Sequence, residues 1–261
     1  MYLIFDTETT GLPNNWKAPL TDFDNWPRMV QLAWQIHGSK GELISVKNYI
    51  VRPDGFTIPY NAEKIHGIST DRALQYGVEL EKVLEEFIND VHESKYIVGH
   101  NISFDNNIVG CELLRIGQEN VLAGKNSIDT KDKSTDYCAI PGGRGGKFKW
   151  PKLSELHEKL FQENFAEAHN AAADVEATAR CFLELVRISV IDFTSVGLNK
   201  NQFDDFLKKN PSKIKLIGLD TKPYEPIDHE ARVSEVNDHS ISSENQSEIH
   251  SSFSHLHVHT Q

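Results

Sequence analysis

Cysteine is scarce in this chain of 261 residues: there are three, Cys111, Cys138 and Cys181, far apart. An odd number without paired spacing argues against a disulfide framework and against a zinc site. Cys111 and Cys181 fall in apolar helical patterns that mark core positions. No apolar run approaches the roughly 18 residues that a membrane-spanning helix needs, so no membrane partner is expected. The N-terminus has no basic region or cleavage site, and acids follow its apolar stretch at once, unlike a signal peptide. A reducing, cytoplasmic setting fits best. Positive charge is short as well, with 27 Lys and Arg against 38 Asp and Glu and a net charge of -11. That balance is a poor basis for gripping nucleic acid through a broad basic face. The deficit is uneven, because residues 225–261 hold seven acids against one Arg. A body with an anionic ligand must therefore rely on local cations, either metal ions or basic loops. Apolar residues make up 39%, enough for a core but below the usual globular share, which points to a poorly folded part.

What is present starts at the first strand, Tyr2-Leu3-Ile4-Phe5-Asp6-Thr7-Glu8-Thr9-Thr10-Gly11. So short an apolar run, ending in acids and then Thr-Thr-Gly, reads as a buried strand emerging at one edge of a sheet. Alternation along a strand puts Asp6 and Glu8 on the same face. Two carboxylates that close repel unless something positive sits between them, and a hard divalent cation, Mg²⁺ or Mn²⁺, would serve. Simple solvation where the strand ends serves equally well, and this pair alone does not choose.

Further along, a polar loop carries Trp16 and Trp26, which either cap the core or border a cleft, the cap being favoured. Met29 to Ile36 and Leu43 to Val51 form a hairpin, which with the first strand gives a three-stranded antiparallel start to a sheet. A helical stretch that Ser69 or Thr70 can cap follows, and Val78 to Val91 shows a helical stripe at Leu80, Val83, Leu84, Phe87, Ile88 and Val91. Tyr96 to His100 is a short strand, and Asn101 to Asp105 opens a helix that runs to about Ile116. Ser127 to Thr130 is a further strand, Leu153 to Phe161 a short amphipathic helix, and Asn170 a cap for a helix over Ala171 to Val190. Elements up to 190 thus run β-β-β-α-β-α-β-α-α, a mixed sheet flanked by helices and α/β in class. The glycine-rich loop Pro141 to Pro151 carries Arg144, Lys147 and Lys149 and ends in Phe148 and Trp150. It reads either as an arm that follows a phosphate backbone and offers rings for stacking, or as a flexible connection whose Trp150 tucks into the core. The first reading is favoured for Arg144 and Lys147. His37, His92 and His157 fall on turns or polar helix faces and are expected to be solvated, whereas His100 positions its loop.

Acids therefore end several elements: Asp6 and Glu8 on the first strand, Asp105 at a helix start and Asp174 in the first turn of the last long helix. His169 lies five residues before Asp174. Within one helix that spacing separates side chains by roughly 140°, so a shared cleft requires His169 to precede the helix, as a cap at Asn170 implies. Four carboxylates and one His suit phosphoryl transfer. Two divalent ions about 3.5–4 Å apart activate a water and stabilise the leaving oxygen, and a neutral His accepts the water's proton near pH 7.

The segments Asp6-Thr7-Glu8, His100 to Asp105 and His169-Asn170-Ala171-Ala172-Ala173-Asp174 together resemble the three motifs of the DEDDh (DnaQ-like) 3′→5′ exonuclease family. That family includes the proofreading epsilon subunit of bacterial DNA polymerase III. The resemblance covers roughly residues 1–190 and implies a ribonuclease H-like fold and 3′→5′ hydrolysis to nucleoside 5′-monophosphates. It implies that Asp6, Glu8 and Asp174 hold a first metal, that Asp6 also contacts a second, that Asp105 helps through water, and that His169 is the general base. It implies further that Thr7 and Glu8 recognise the terminal 3′ hydroxyl, that Leu12 wedges against the last base and that Ile65 and His66 line the terminal pocket. Asn101 and Phe104, within the second motif, are candidate substrate contacts, as are Arg144 and Lys147. The implied partners are single-stranded or frayed DNA 3′ ends and a replicative polymerase alpha subunit, in trans or fused. An RNA exonuclease of the same family, and a polymerase-binding module with an idle centre, stand as alternatives.

The expected domains are an exonuclease domain over 1–190, an extension over 191–224 with a helix at Asn199 to Lys209 and a strand at Lys213 to Leu219, and a disordered acidic tail over 225–261. Six of the 12 His lie in that tail. Its last nine residues, Phe253-Ser254-His255-Leu256-His257-Val258-His259-Thr260-Gln261, resemble the opening of a polymerase III alpha PHP domain. Those His are assigned no function here.

Overall fold

The apolar runs pair as their alternation dictates. The computed structural model describes residues 1–163 and 170–218. In it β1 (Tyr2–Thr9) lies antiparallel to β2 (Met29–His37), and β2 antiparallel to β3 (Leu43–Ile50). β4 (Tyr96–Gly99) and β5 (Asn126–Asp129) run parallel to β1, so the sheet order is β3-β2-β1-β4-β5. Between β3 and β4 come α1 (Tyr60–His66), α2 (Thr70–Tyr76) and α3 (Leu80–Glu93). α4 (Ile102–Arg115) joins β4 to β5, and α5 (Thr130–Cys138), α6 (Leu153–Phe161), α7 (Ala171–Arg187) and α8 (Lys200–Lys209) follow. This is the mixed, helix-flanked sheet of the ribonuclease H-like fold.

β1 is central, and its first residues are buried on both faces, which is why it reads as an unbroken apolar run. Its alternation still decides what lies where. Tyr2 and Ile4 belong to the core shared with α6, α7 and α8, whereas Leu3 and Phe5 belong to the core shared with α3 and α4. Continuing that alternation, Asp6 and Glu8 point to the α7 side and Thr7 to the α4 side. The pairing with β2 slips between Glu8 and Thr9, leaving Val30 as an extra residue, so the regular ladder runs through both acids and ends just beyond Glu8.

Three expectations are corrected. Residues 213–218 form no strand. Instead, Glu184 on α7 accepts from Ile214 N at 3.0 Å, Arg180 donates to Ile214 O at 2.9 Å and Glu176 accepts from Gly218 N at 2.7 Å. Helix side chains satisfy the backbone there, and no ladder is needed. His37 and His157 are buried rather than solvated. His37 bonds Gln35 and Gly41 O, and His157 takes a hydrogen bond from Arg180 at 2.9 Å, a partner 23 residues away that no local pattern reveals. Trp26 does cap the core, but Trp16 is 53% exposed and only leans on Phe104. The expected order has one helix between β3 and β4 and two between β5 and residue 190, whereas the structure has three in each place, α1 and α5 among the additions. The helix at Lys200–Lys209 matches, and its Phe203 and Phe206 pack into the same core as α7. No helix among the described residues is long and apolar enough to cross a membrane.

Candidate active site

α7 is set against the sheet by its first turn. Asn170 caps it by accepting from Ala172 N at 3.0 Å, and Ala171, Ala172 and Ala173 are small enough to lie buried under the strands. Gln31, fully buried on β2, clamps this turn: its Oε1 accepts from Ala171 N at 3.2 Å and its Nε2 donates to Asn170 Oδ1 at 3.3 Å and Asn48 Oδ1 at 2.8 Å. The clamp delivers Asp174 to the face of β1 that carries Asp6 and Glu8. One carboxylate oxygen from each of the three lies within 4.8 Å of the others.

Asp105 comes from the other side. It sits in the first turn of α4, whose cap Asn101 has φ 75°, and it is buried. Its Oδ1 accepts from Thr7 N at 3.1 Å and from Thr7 Oγ1 at 2.7 Å. These bonds oppose the effect of burial, which raises the Asp105 carboxyl to about 7. Burial also lifts Glu8 to about 8, with Asp174 and Asp105 adding to it. Asp6 is raised well above the ordinary range, first by burial and then by Asp105, Asp174 and Glu8. The neighbours that act on Asp6 thus all carry its own sign. An all-oxygen donor set of converging, mutually repelling carboxylates fits a hard divalent cation.

The family model described as exonuclease, RNase_T, matches residues 3–182. The chain belongs to this exonuclease family. It is similar to DNA polymerase III PolC-type of Staphylococcus aureus, 27% identical over 224 residues that make up 83% of this chain and 14% of that protein. Among solved structures it resembles E. coli exonuclease I in complex with a dA16 oligonucleotide, with a TM-score of 0.56, 21% identity, and 78% of this chain and 44% of that one covered. It also resembles exonuclease X in complex with 5′ overhanging duplex DNA, with a TM-score of 0.50, 21% identity, and 79% and 99% covered. The chain therefore spans about a seventh of the PolC-type relative and under half of exonuclease I. These likenesses identify a DnaQ-like exonuclease of the DEDD type with the ribonuclease H-like fold.

The remaining expected site residues of this exonuclease differ in exposure and in the partners they hold. Leu12 and Ile65 are solvent-facing, 71% and 57% exposed. His66 is buried, and its Nδ1 accepts from Ile68 N at 3.1 Å, so it shapes the α1–α2 turn rather than presenting itself. The amide of Thr7 is committed to Asp105, which leaves any substrate contact of Thr7 to another of its groups. Asn101 and Phe104 flank the start of α4, with Asn101 Oδ1 accepting from Lys131 Nζ at 2.6 Å. Arg144 and Lys147 bound a 3-10 turn on an exposed loop. His169 lies outside the described residues, as do the tail over 225–261 and its terminal His run. His100 holds its loop as expected, bonding Thr130 Oγ1 at 2.9 Å and Pro151 O at 3.0 Å.

Sequence reading missed Gln31, because a polar residue within a strand carries no sign of a partner 139 positions away. Replacing it with Leu removes three hydrogen bonds, those with Ala171 N, Asn170 and Asn48. Gln31→Leu is expected to lower kcat by about 10–100-fold, as removing the support of a metal ligand does. Steady-state kinetics on a DNA oligonucleotide, beside a thermal melt, would check it.

Proposed function

We propose that this chain is a divalent-metal-dependent 3′→5′ exonuclease that hydrolyses DNA from the 3′ end to nucleoside 5′-monophosphates, in replication proofreading or repair. The convergence of Asp6, Glu8 and Asp174, with oxygens within 4.8 Å of one another, carries this reading. Those three would hold Mg²⁺ or Mn²⁺, two ions per site with Asp6 shared, and Asp105 would contribute through water. Bound there, the ions supply an acidified water and neutralise charge on the departing 3′ oxygen.

The protein's own groups do the rest. A ring nitrogen of His169, next to the fixed cap Asn170, accepts the water's proton. Thr7 and Glu8 fix the terminal 3′ hydroxyl, and exposed Leu12 packs against the last base. Asp105, tied to Thr7, keeps the end of β1 in register with α4. Similarity to a PolC-type polymerase supports DNA as the substrate and a replicative polymerase as the partner, in trans or in one polypeptide.

A 5′-labelled single-stranded DNA oligonucleotide tests this. With Mg²⁺ the label should pass through successively shorter products, 5′-monophosphates should accumulate, and EDTA should stop both. Immediate release of the 5′ label as mononucleotide, or hydrolysis indifferent to EDTA, would overturn the reading.

A further inference from the structure

We infer that Trp150, with Lys131 against its ring and Arg144 and Lys147 nearby, is a stacking platform for the single strand leading into the carboxylate centre. This rests on the exonuclease reading of that centre. Trp150 and Phe148 are 65% and 44% exposed, so the loop's rings are not buried in the core. The loop is nonetheless held. Gly143 N donates to Lys147 O at 3.0 Å, Lys149 N donates to Ile140 O at 2.8 Å, and Pro151 O bonds His100 at 3.0 Å. Gly143 is required for this turn, because a Cβ there would stand 2.3 Å from Phe148 O.

Lys131 connects the platform to the active centre. Its Nζ is 4.6 Å from the Trp150 ring centroid and 2.6 Å from Asn101 Oδ1, at the start of the helix that carries Asp105. β4 and β5 run parallel to β1, so His100, Asn101 and Lys131 emerge at the same sheet edge as Glu8. At about 4.8 Å between neighbouring strands, β5 lies about 10 Å across from β1. A strand with its 3′ end among the carboxylates would therefore reach this edge with the nucleotides just upstream.

Charge favours the same occupant. An open groove of about 820 Å³ beside the ring is lined by Asp136, Arg144, Lys147, Phe148, Lys149 and Trp150. Lys149 is paired with Glu155, whereas no salt bridge engages Arg144 or Lys147 among the described residues. In a chain of net charge -11, two unengaged cations beside two exposed rings suit phosphates with bases between them. Every base has a π-face, so the platform reads no sequence.

Fluorescence anisotropy of a labelled oligothymidylate in EDTA, with hydrolysis of the same strand in Mg²⁺ measured in parallel, is the test. Trp150→Ala should weaken binding about 10-fold or more, the loss of one stacked base. Trp150→Phe, which keeps a ring, should stay within about 3-fold of wild type. The double variant Arg144→Gln, Lys147→Gln should flatten the slope of log K against log salt by about 1.4, that is 0.7 for each phosphate that a cation no longer neutralises. Trp150→Ala binding within about 2-fold of wild type would overturn the platform, because one stacked base is worth more than that. If the strand is cut but Trp150→Ala binds normally, the platform fails and the exonuclease reading stands. If wild type binds the strand through Trp150 but does not cut it, the reverse holds.

Discussion

Asp6→Asn should lower the hydrolysis rate by about 10³-fold or more while melting no lower than the wild-type protein. Both halves come from the same geometry. Asp6 lies centrally among the acids, being raised by Asp105, Asp174 and Glu8 together, and in the proposed scheme both metal ions touch it. Removing its charge would remove a ligand of the proposed ions but also repulsion from the neighbouring carboxylates, so the fold loses nothing. An inactive variant that simply unfolds would melt lower, and the paired measurements separate the two. Glu8→Gln and Asp174→Asn should behave alike, because each supplies one corner of the triangle of oxygens. Activity retained in Asp6→Asn within about 10-fold of wild type would remove Asp6 from the chemistry, since loss of even one well-placed electrostatic group costs more.

The second large effect concerns the metal-free protein. Glu8 is lifted to about 8 by burial and by Asp174 and Asp105, far above the usual carboxylate range it regains on unfolding. Between roughly pH 4.5 and 8 the folded state thus binds more protons than the unfolded state, and stability falls as pH rises. The contribution is whole below about pH 4.5 and gone once pH passes about 8. In EDTA the melting temperature should therefore drop by about 5 °C or more from pH 5 to pH 8. Mg²⁺ or Mn²⁺ at pH 8 should restore it, because a bound cation reverses the sign of the field at each carboxylate. Glu8→Gln, which does not titrate, should flatten the slope in EDTA. A melting temperature in EDTA that rises over this range would mean that the carboxylates do not crowd one another.

The parts of the structure legible in the sequence were those governed by short-range pattern. β1, the β2–β3 hairpin, α3 and α6 follow from alternation or a helical stripe, and the Asn170 cap fixes where α7 begins. What escaped depends on contacts between distant residues. α5 carries Lys, Asp, Ser and Thr where a stripe would be, with Ser134 and Cys138 among its few buried positions, so periodicity gives no signal. Ile214 and Leu216 alternate as in a strand, but their backbone is held by Glu184, Arg180 and Glu176 of α7. His157 reads as a solvated helix residue until Arg180 covers it. At the site, Asp6, Glu8, Asp105 and Asp174 all stand out by their positions at element ends, and three of them meet in one cluster with the fourth tied to Thr7 beside it. The clamp by Gln31 and the bridge from Lys131 to Trp150 were invisible, because each joins residues whose proximity only the sheet creates.

Anomalous diffraction from crystals soaked in Mn²⁺ tests the central claim most directly. Anomalous peaks among the carboxylate oxygens of Asp6, Glu8 and Asp174, at about 2.2 Å from them, are the result this account predicts. Ordered carboxylates with no peak between them at saturating Mn²⁺, or with peaks only elsewhere on the surface, would contradict it.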